Sequence, residues 1–204
     1  MSGNSAIGLV IPTSWEARDI LRHYGFKSVG QSLFKAEIKG RPVWVCVSGV
    51  GREPARGAAN RLVSSGATIL VSVGFCGALV PELHVGDLIT DRLISVDHPA
   101  RTPDERRALT QRANALAVDM ETQAVIETGT RRGVPIHMLR VISDEFSDDL
   151  TALLGKSGGF SAWKIAVRLL NPRAWPLARK LQKQSAVARR RLVEEVGRFL
   201  ERQG

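Results

Sequence analysis

Residues 1–155 predict an α/β fold, a central mixed, twisted β-sheet flanked by helices, and residues 156–204 predict a basic amphipathic helical tail. Three observations carry this reading. Short apolar runs of strand length alternate with helical segments from residue 6 to residue 145. The runs Val43–Val47 (VWVCV) and Thr68–Val73 (TILVSV) are nearly continuous in apolar residues, the pattern of strands buried on both faces. A chain of 204 residues is long enough for one domain with a substantial core.

Ala6–Ile11 is a short apolar run suited to a central strand. Thr13-Ser14-Trp15-Glu16 then forms a capping box, and its helix runs to about Tyr24 and ends at Gly25. On local sequence Glu16 completes the cap, and that reading is preferred. A carboxylate in the first turn after a strand can also point into a cleft.

Leu33–Ile38 and Pro42–Val47 pair as a hairpin around Lys39-Gly40-Arg41. The second arm runs into Ser48-Gly49-Val50-Gly51, and a helix follows from about Pro54 to Ser65. Glycines between a strand and a helix let backbone N–H groups approach an anion or a sugar. Gly49 is therefore a candidate binding position, although a plain tight turn explains the same residues.

Thr68–Val73 is the next buried strand, followed by Gly74-Phe75-Cys76-Gly77-Ala78. Gly86-Asp87 is a turn feeding another strand, with Asp87 holding turn amides. Ser95–Leu116 is polar and charged, a loop with a short helix opening near Thr102-Pro103-Asp104-Glu105 and with His98 as a solvated loop residue. Ala117–Asp148 reads as a helix with Asp119, Met120 and Glu121 at its start, a turn at Gly133, and a buried strand bearing Arg140, Ser143 and Asp144 at its end. Acids at a helix opening and at a strand end suit a pocket, because ligands of α/β proteins sit at the carboxyl ends of strands.

The formal charge of +9 becomes informative once it is located. Residues 1–155 hold 17 basic and 17 acidic side chains, and residues 156–204 hold 12 and 3. The whole excess belongs to the tail. Phe160–Leu170 and Pro172–Arg202 combine apolar residues, Trp163 and Trp175 with Lys and Arg at helical spacing. Such a segment suits an anionic membrane interface, and it equally suits a helix packed on the body with its charged face in water. Nucleic acid is not an expected partner, since no aromatic platform is interleaved with the charges. Cys46 and Cys76 lie in apolar surroundings and read as small hydrophobes, not as a disulfide or metal site. The N-terminus lacks a basic n-region and a cleavage pattern, and no apolar run approaches the ~20 residues of a membrane span. A cytoplasmic location is expected, with peripheral membrane contact through the tail as the alternative.

Four ordered signals give the chain a family resemblance over roughly Ile7–Asp148. They are Glu16 after the first strand, Ser48-Gly49-Val50-Gly51, Val73–Ala78 with Val85-Gly86-Asp87, and Val118-Asp119-Met120-Glu121 with Arg140-Val141-Ile142-Ser143-Asp144. Together they resemble the nucleoside phosphorylase and nucleosidase superfamily, especially its methylthioadenosine/S-adenosylhomocysteine nucleosidase branch. The resemblance implies cleavage of a purine N-glycosidic bond without metal or organic cofactor. It implies Asp144 as the acid serving N7 of the base, with Ser143 holding it, and Glu121 on the ribose hydroxyls. It implies Met120 on the sugar face, Glu16 positioning the attacking water, Arg140 orienting the carboxylates, and Gly74 and Phe75 at the substrate. A homodimer is also implied. Taken singly, Asp144 reads as a helix cap, Glu121 as a first-turn acid favoured by the helix dipole, and Met120 as core.

Three departures from the family pattern shape the expectation. Phe75 stands where the family commonly has Ser or Thr, and a phenyl ring cannot bind phosphate. A glycine- and arginine-rich phosphate loop is also lacking near the N-terminus, so water is favoured over phosphate as nucleophile. The stretch from Ile94 to Asp119 is short and lacks the family's base-stacking segment, so the pocket is remodelled or completed by the tail or another chain. The Arg- and Leu-rich tail is similar to that of the hopanoid-associated members, which implies an adenosylated lipid such as adenosylhopane as a substrate. The alternatives are a phosphate-dependent phosphorylase and a catalytically silent relative that binds a nucleoside or a membrane.

Overall fold

The computed structural model describes residues 5–154 and 175–203. Its strands are β1 (Ile7–Ile11), β2 (Lys27–Gly30), β3 (Leu33–Ile38), β4 (Arg41–Val47), β5 (Ile69–Ala78), β6 (Leu88–Ile89), β7 (Leu93–Ser95), β8 (Ala117–Asp119) and β9 (Ile136–Asp144). Its helices are α1 (Ser14–His23), α2 (Arg52–Ser64), α3 (Pro103–Ala113), α4 (Thr122–Arg132), α5 (Thr151–Leu154) and α6 (Trp175–Arg202).

These strands form one mixed sheet in the order β2-β3-β4-β1-β5-β8-β7, with β9 pairing β5 and β6. β5 is the organising strand. One of its edges carries β9 in parallel from Leu70 to Gly77. The other edge holds β1 in parallel as far as Ser72 and β8 antiparallel from Gly77. Among the described residues no strand pairs with Val73–Cys76 on that edge, and the sheet parts there. This opening between β1 and β8 is a crevice at the carboxyl ends of β1, β5 and β9, the place where α/β sheets bind ligands.

The mixed sheet and its flanking helices match the expected fold class, and the differences have local causes. Ala117–Asp119 is a strand, not the start of a helix, because it pairs with β5 and with β7. α4 begins three residues later at Thr122 and ends where expected, at Gly133 with φ +65°. The strand read as Thr68–Val73 continues through both glycines to Ala78, since β9 runs beside it throughout. Thr102 caps α3 by accepting from the Glu105 N–H, and the helix runs for 11 residues. Asp87 accepts the His84 N–H at 2.8 Å, and His98 is exposed. Both cysteines are free and buried.

Of the tail, Phe160–Leu170 lies outside the described residues. The described part packs on the body: Ala188, Leu192, Val196, Phe199 and Leu200 of α6 share a core cluster with Ile7, Leu9, Val45, Val71 and Leu139 of the sheet. Asp148 fastens this helix. Its Oδ1 accepts Lys180 Nζ at 2.5 Å, and its Oδ2 accepts Gln184 Nε2 at 3.1 Å and the Glu145 N–H at 2.8 Å. Burial works against the Asp148 charge, but Lys180, the Glu145 N–H and Gln184 outweigh it and hold the carboxyl below its ordinary value. A depressed folded pKa contributes stability that is present above the unfolded pKa and lost as pH falls through the folded one. Asp148→Ala should therefore cost about 2 kcal/mol at pH 7, within the range for a buried acceptor taken from several donors. The deficit should shrink towards pH 3. Thermal melts at both pH values check this, and an equal deficit at each would refute it.

Candidate active site

The acidic side chains in the crevice are set by helix-start geometry and by partners brought from elsewhere in the fold. At the start of α1 the capping box is complete, with the Glu16 N–H donating to Thr13 Oγ1 at 3.2 Å and the Thr13 N–H donating to Glu16 Oε2 at 3.0 Å. Glu16 nevertheless reaches further. Its Oε1 accepts the Phe75 N–H at 2.7 Å, one of the β5 backbone groups left free where the sheet parts. The cap and the cleft are thus served by the same carboxylate.

At α4 the two acids divide the work. Asp119 caps the helix in practice, since its Oδ2 accepts the Thr122 N–H at 3.1 Å and Thr122 Oγ1 at 2.5 Å. Ser95 Oγ donates to its Oδ1 at 2.5 Å. Glu121, at the formal N-cap, makes no capping bond. Its Oε1 instead accepts the Gly51 N–H at 2.8 Å, and its Oε2 lies 3.5 Å from Arg140 Nη1.

Arg140 sits behind these acids with no exposed surface. Nη2 donates to Ser72 Oγ at 2.8 Å and pairs with Asp119 Oδ2 at 3.0 Å, Nη1 donates to Phe75 O at 3.2 Å, and Nε donates to Thr122 Oγ1 at 3.0 Å. Gly74 makes the meeting possible. A Cβ there would lie 2.7 Å from Arg140 Nη1, 2.8 Å from Glu16 Oε1 and 3.0 Å from Pro12 Cδ. At the end of β9, Ser143 Oγ donates to Asp144 Oδ1 at 2.8 Å, and Arg106 Nη2 of α3 donates to Asp144 Oδ2.

These groups border a cavity of about 540 Å³. Of the residues expected at the site, Glu16, Phe75, Met120, Glu121, Ser143 and Asp144 line it. Gly49, Gly74 and Arg140 do not. The Gly49 N–H is taken by Pro12 O at 2.9 Å, so it serves the turn and not a ligand. Asp119, read from the sequence only as one of the acids at a helix opening that suit a pocket, is on the wall. Every charged side chain on that wall among the described residues is acidic: Glu16, Asp119, Glu121 and Asp144. The far side is apolar, made by Trp15, Leu150, Leu153 and Leu154, with Leu181 and Ser185 added by α6. The tail therefore contributes to the pocket wall within the same chain.

Comparison with known proteins gives the family of the chain. A family profile described as the phosphorylase superfamily matches residues 6–90 and 92–156. The chain belongs to the phosphorylase superfamily. Within the superfamily, uridine phosphorylase of Escherichia coli (strain K12) is 34% identical over 67 residues, which are 32% of this chain and 26% of that protein. The match thus spans about a quarter of that relative's length. Among solved structures, 5′-methylthioadenosine/S-adenosyl homocysteine nucleosidase of Helicobacter pylori superposes with a TM-score of 0.72 at 16% identity, covering 97% of this chain and 100% of that one. A mutant of futalosine hydrolase from Helicobacter pylori superposes with a TM-score of 0.66 at 18% identity, covering 81% and 98%. At these identities the likeness is one of fold.

The electrostatics of this superfamily member's crevice follow from burial. Desolvation raises the pKa of Glu16, against the opposing pull of Thr13, Arg140 and the Phe75 N–H. Desolvation also raises that of Glu121, with Asp119 and Glu16 adding repulsion while Arg140 and the Gly51 N–H oppose it. Burial works against the Arg140 charge, but Asp119, Glu121 and Glu16 outweigh it and keep the guanidinium protonated. Burial pushes the Cys76 thiol well above its ordinary value, so that wall residue stays a neutral thiol.

Proposed function

We propose that this protein hydrolyses the N-glycosidic bond of a purine nucleoside and releases the base. The observation that carries the reading is the character of the cavity wall, whose ionisable carboxyl groups meet no Lys or Arg side chain on the lining among the described residues. A phosphate dianion entering such a wall is repelled, and both buried guanidiniums are committed to protein acceptors. A ribosyl group that gains positive charge as its bond to the base breaks is stabilised by the same wall. Water is the nucleophile that fits.

The roles follow from position. Glu121, held by the Gly51 N–H, faces the sugar and compensates its developing charge. Glu16 takes a proton from the attacking water, and its raised pKa makes it a stronger base than an ordinary carboxylate. Asp144, with Ser143 beside it, delivers a proton to N7 of the leaving purine.

The finer reading concerns the 5′ substituent. Leu150, Leu153, Leu154 and Leu181 form an apolar wall suited to a greasy group and support an adenosylated lipid as substrate. The outer face of α6 supports the same reading. Arg179, Lys183 and Arg190 are exposed there with Trp175 and Val187, and no acid appears on the helix before Glu194, a composition attracted to anionic lipid.

One assay tests both levels. Adenine release is measured from methylthioadenosine, adenosine and an adenosyl-lipid in anionic or neutral vesicles, with and without phosphate. Release independent of phosphate, and reduced about 10³-fold in Asp144→Asn, is the expected result. A strict phosphate requirement would make the protein a phosphorylase, and binding without turnover would make it a silent relative. Preference for methylthioadenosine, with no gain from anionic vesicles, would remove the lipid reading.

A further inference from the structure

We infer that Arg106 is the positioning residue of Asp144, so that docking of α3 assembles the proton donor of the site. The inference rests on the assignment of Asp144 to the leaving base. Among the described residues, Arg106 and Arg140 are the two largest side chains with no exposed surface. A guanidinium is buried only when it is paired and hydrogen-bonded. Arg140 is explained by Glu16, Asp119 and Glu121, and Arg106 serves the opposite side of the cavity.

Its donors converge on one place. Nη1 donates to Ala78 O and to Glu145 O, each at 3.0 Å, and Nη2 donates to Asp144 Oδ2. Among the described residues Arg106 Nε has no acceptor. A methionine would fill the same space without that unpaired donor, so packing alone does not account for an arginine here.

β5 makes room for the pair. A Cβ on Gly77 would lie 2.8 Å from Asp144 Oδ2 and 3.3 Å from Arg106 Nη1. With Oδ2 held by Arg106, the other oxygen of Asp144, Oδ1, accepts the Ser143 hydroxyl, and both residues line the cavity while Arg106 does not. Arg106 acts through Asp144 and touches no substrate.

The chemistry gives the guanidinium a purpose. As the bond between C1′ and the purine breaks, its electron pair goes to the base, and the Asp144 Oδ1 proton passes to N7. Water adds hydroxide to C1′ and gives its proton to Glu16. The carboxylate left on Asp144 is compensated by the Arg106 guanidinium beside it. The segment leading into α3 also borders the cavity through Val96, Pro99 and Ala100. Arg101 O of that segment accepts the Leu150 N–H at 2.8 Å, which ties α3 to the leucine wall. Seating of α3 and readiness of Asp144 are thereby one event.

The test is a double-mutant cycle on Arg106→Met, Asp144→Asn and the pair, with Arg106→Lys and Gly77→Ala alongside, read in base release and in calorimetric binding of adenine. Arg106→Met should lower kcat about 100-fold with KM changed less than about threefold. Arg106→Lys should recover about tenfold of that loss, since a charge without the full donor set returns part of the compensation. The double variant should fall no further than Asp144→Asn alone, as expected for groups acting as a unit. Gly77→Ala, which displaces the carboxylate and leaves every charge in place, should lower kcat as well, and it decides the matter if Arg106→Met does not fold. Losses that multiply, a lysine no better than methionine, or wild-type kcat in Gly77→Ala would each overturn the inference. If the wild type binds adenine without turnover, the hydrolase reading fails and the same cycle in adenine affinity judges Arg106, coupling being expected and additivity overturning it. Neither binding nor turnover would overturn both.

Discussion

Glu121→Gln should lower the rate of base release by about two to three orders of magnitude, the loss typical of one preorganised charge-stabilising group, while the chain stays folded. Glu121 is a wall carboxylate that burial holds above the ordinary range, against Arg140 and the Gly51 N–H, which favour its charge. Glutamine retains an oxygen for the Gly51 N–H and removes the negative charge from the sugar side of the cavity. The pH dependence follows from the sign of the shift. The working form is ionised, so kcat/KM rises through a pKa above the usual carboxylate range. For stability the same shift acts in reverse. A carboxyl whose folded pKa exceeds its unfolded value binds more protons in the folded state, so stability falls as pH rises between the two values. The variant should escape that fall. Melting curves from pH 4 to pH 8 should therefore show Glu121→Gln gaining on the wild type as pH rises, and a gain confined to acid pH would contradict the assignment.

How far the site was legible in the sequence depends on whether each residue's setting is local. Glu16 was legible because a capping box is a four-residue pattern, and Gly133 because a left-handed helix end needs glycine. The cleft role of Glu16 was not decidable locally. It depends on the Phe75 N–H, 59 residues away, being free where β1 and β8 leave β5. Ala117–Asp119 was misread for the same reason. Three residues carry too little periodicity to separate strand from helix, and their conformation is set by pairing with β5 and β7.

Arg106 left a fainter trace. The run Asp104-Glu105-Arg106-Arg107 looks uniformly solvated, yet Arg107 pairs with Asp104 at the surface while Arg106 turns inward. Thr110, four residues on, also faces inward and donates to Leu79 O at 2.7 Å, so the helix has a polar inner face that a hydrophobic pattern cannot reveal. The tail sequence suits both the body and a membrane. α6 shows how both compositions arise in one helix, with Leu192, Val196 and Phe199 inward and Arg179, Lys183 and Arg190 outward.

Arg140→Met should be the most damaging single change, destabilising the fold by about 3–5 kcal/mol, the usual consequence of stripping the counterion from buried charges. For a chain of this size that corresponds to a fall in Tm of about 10 °C. Methionine fills much of the volume, so the loss is electrostatic. Asp119, Glu121 and Glu16 remain buried without a cation, and the Phe75 carbonyl, Ser72 and Thr122 lose a donor. Arg140 is among the influences that lower the pKa of both glutamates, so its removal raises them further. The cost of ionising them in the fold then grows with pH above the unfolded carboxylate value. The deficit of the variant should accordingly be largest at neutral pH and shrink towards pH 4, where the carboxyls take up protons. A deficit independent of pH would mean that shape, not charge, is what Arg140 supplies. Activity should be lost at every pH, because the protonation that restores the fold removes the negative charge that the sugar and the attacking water require.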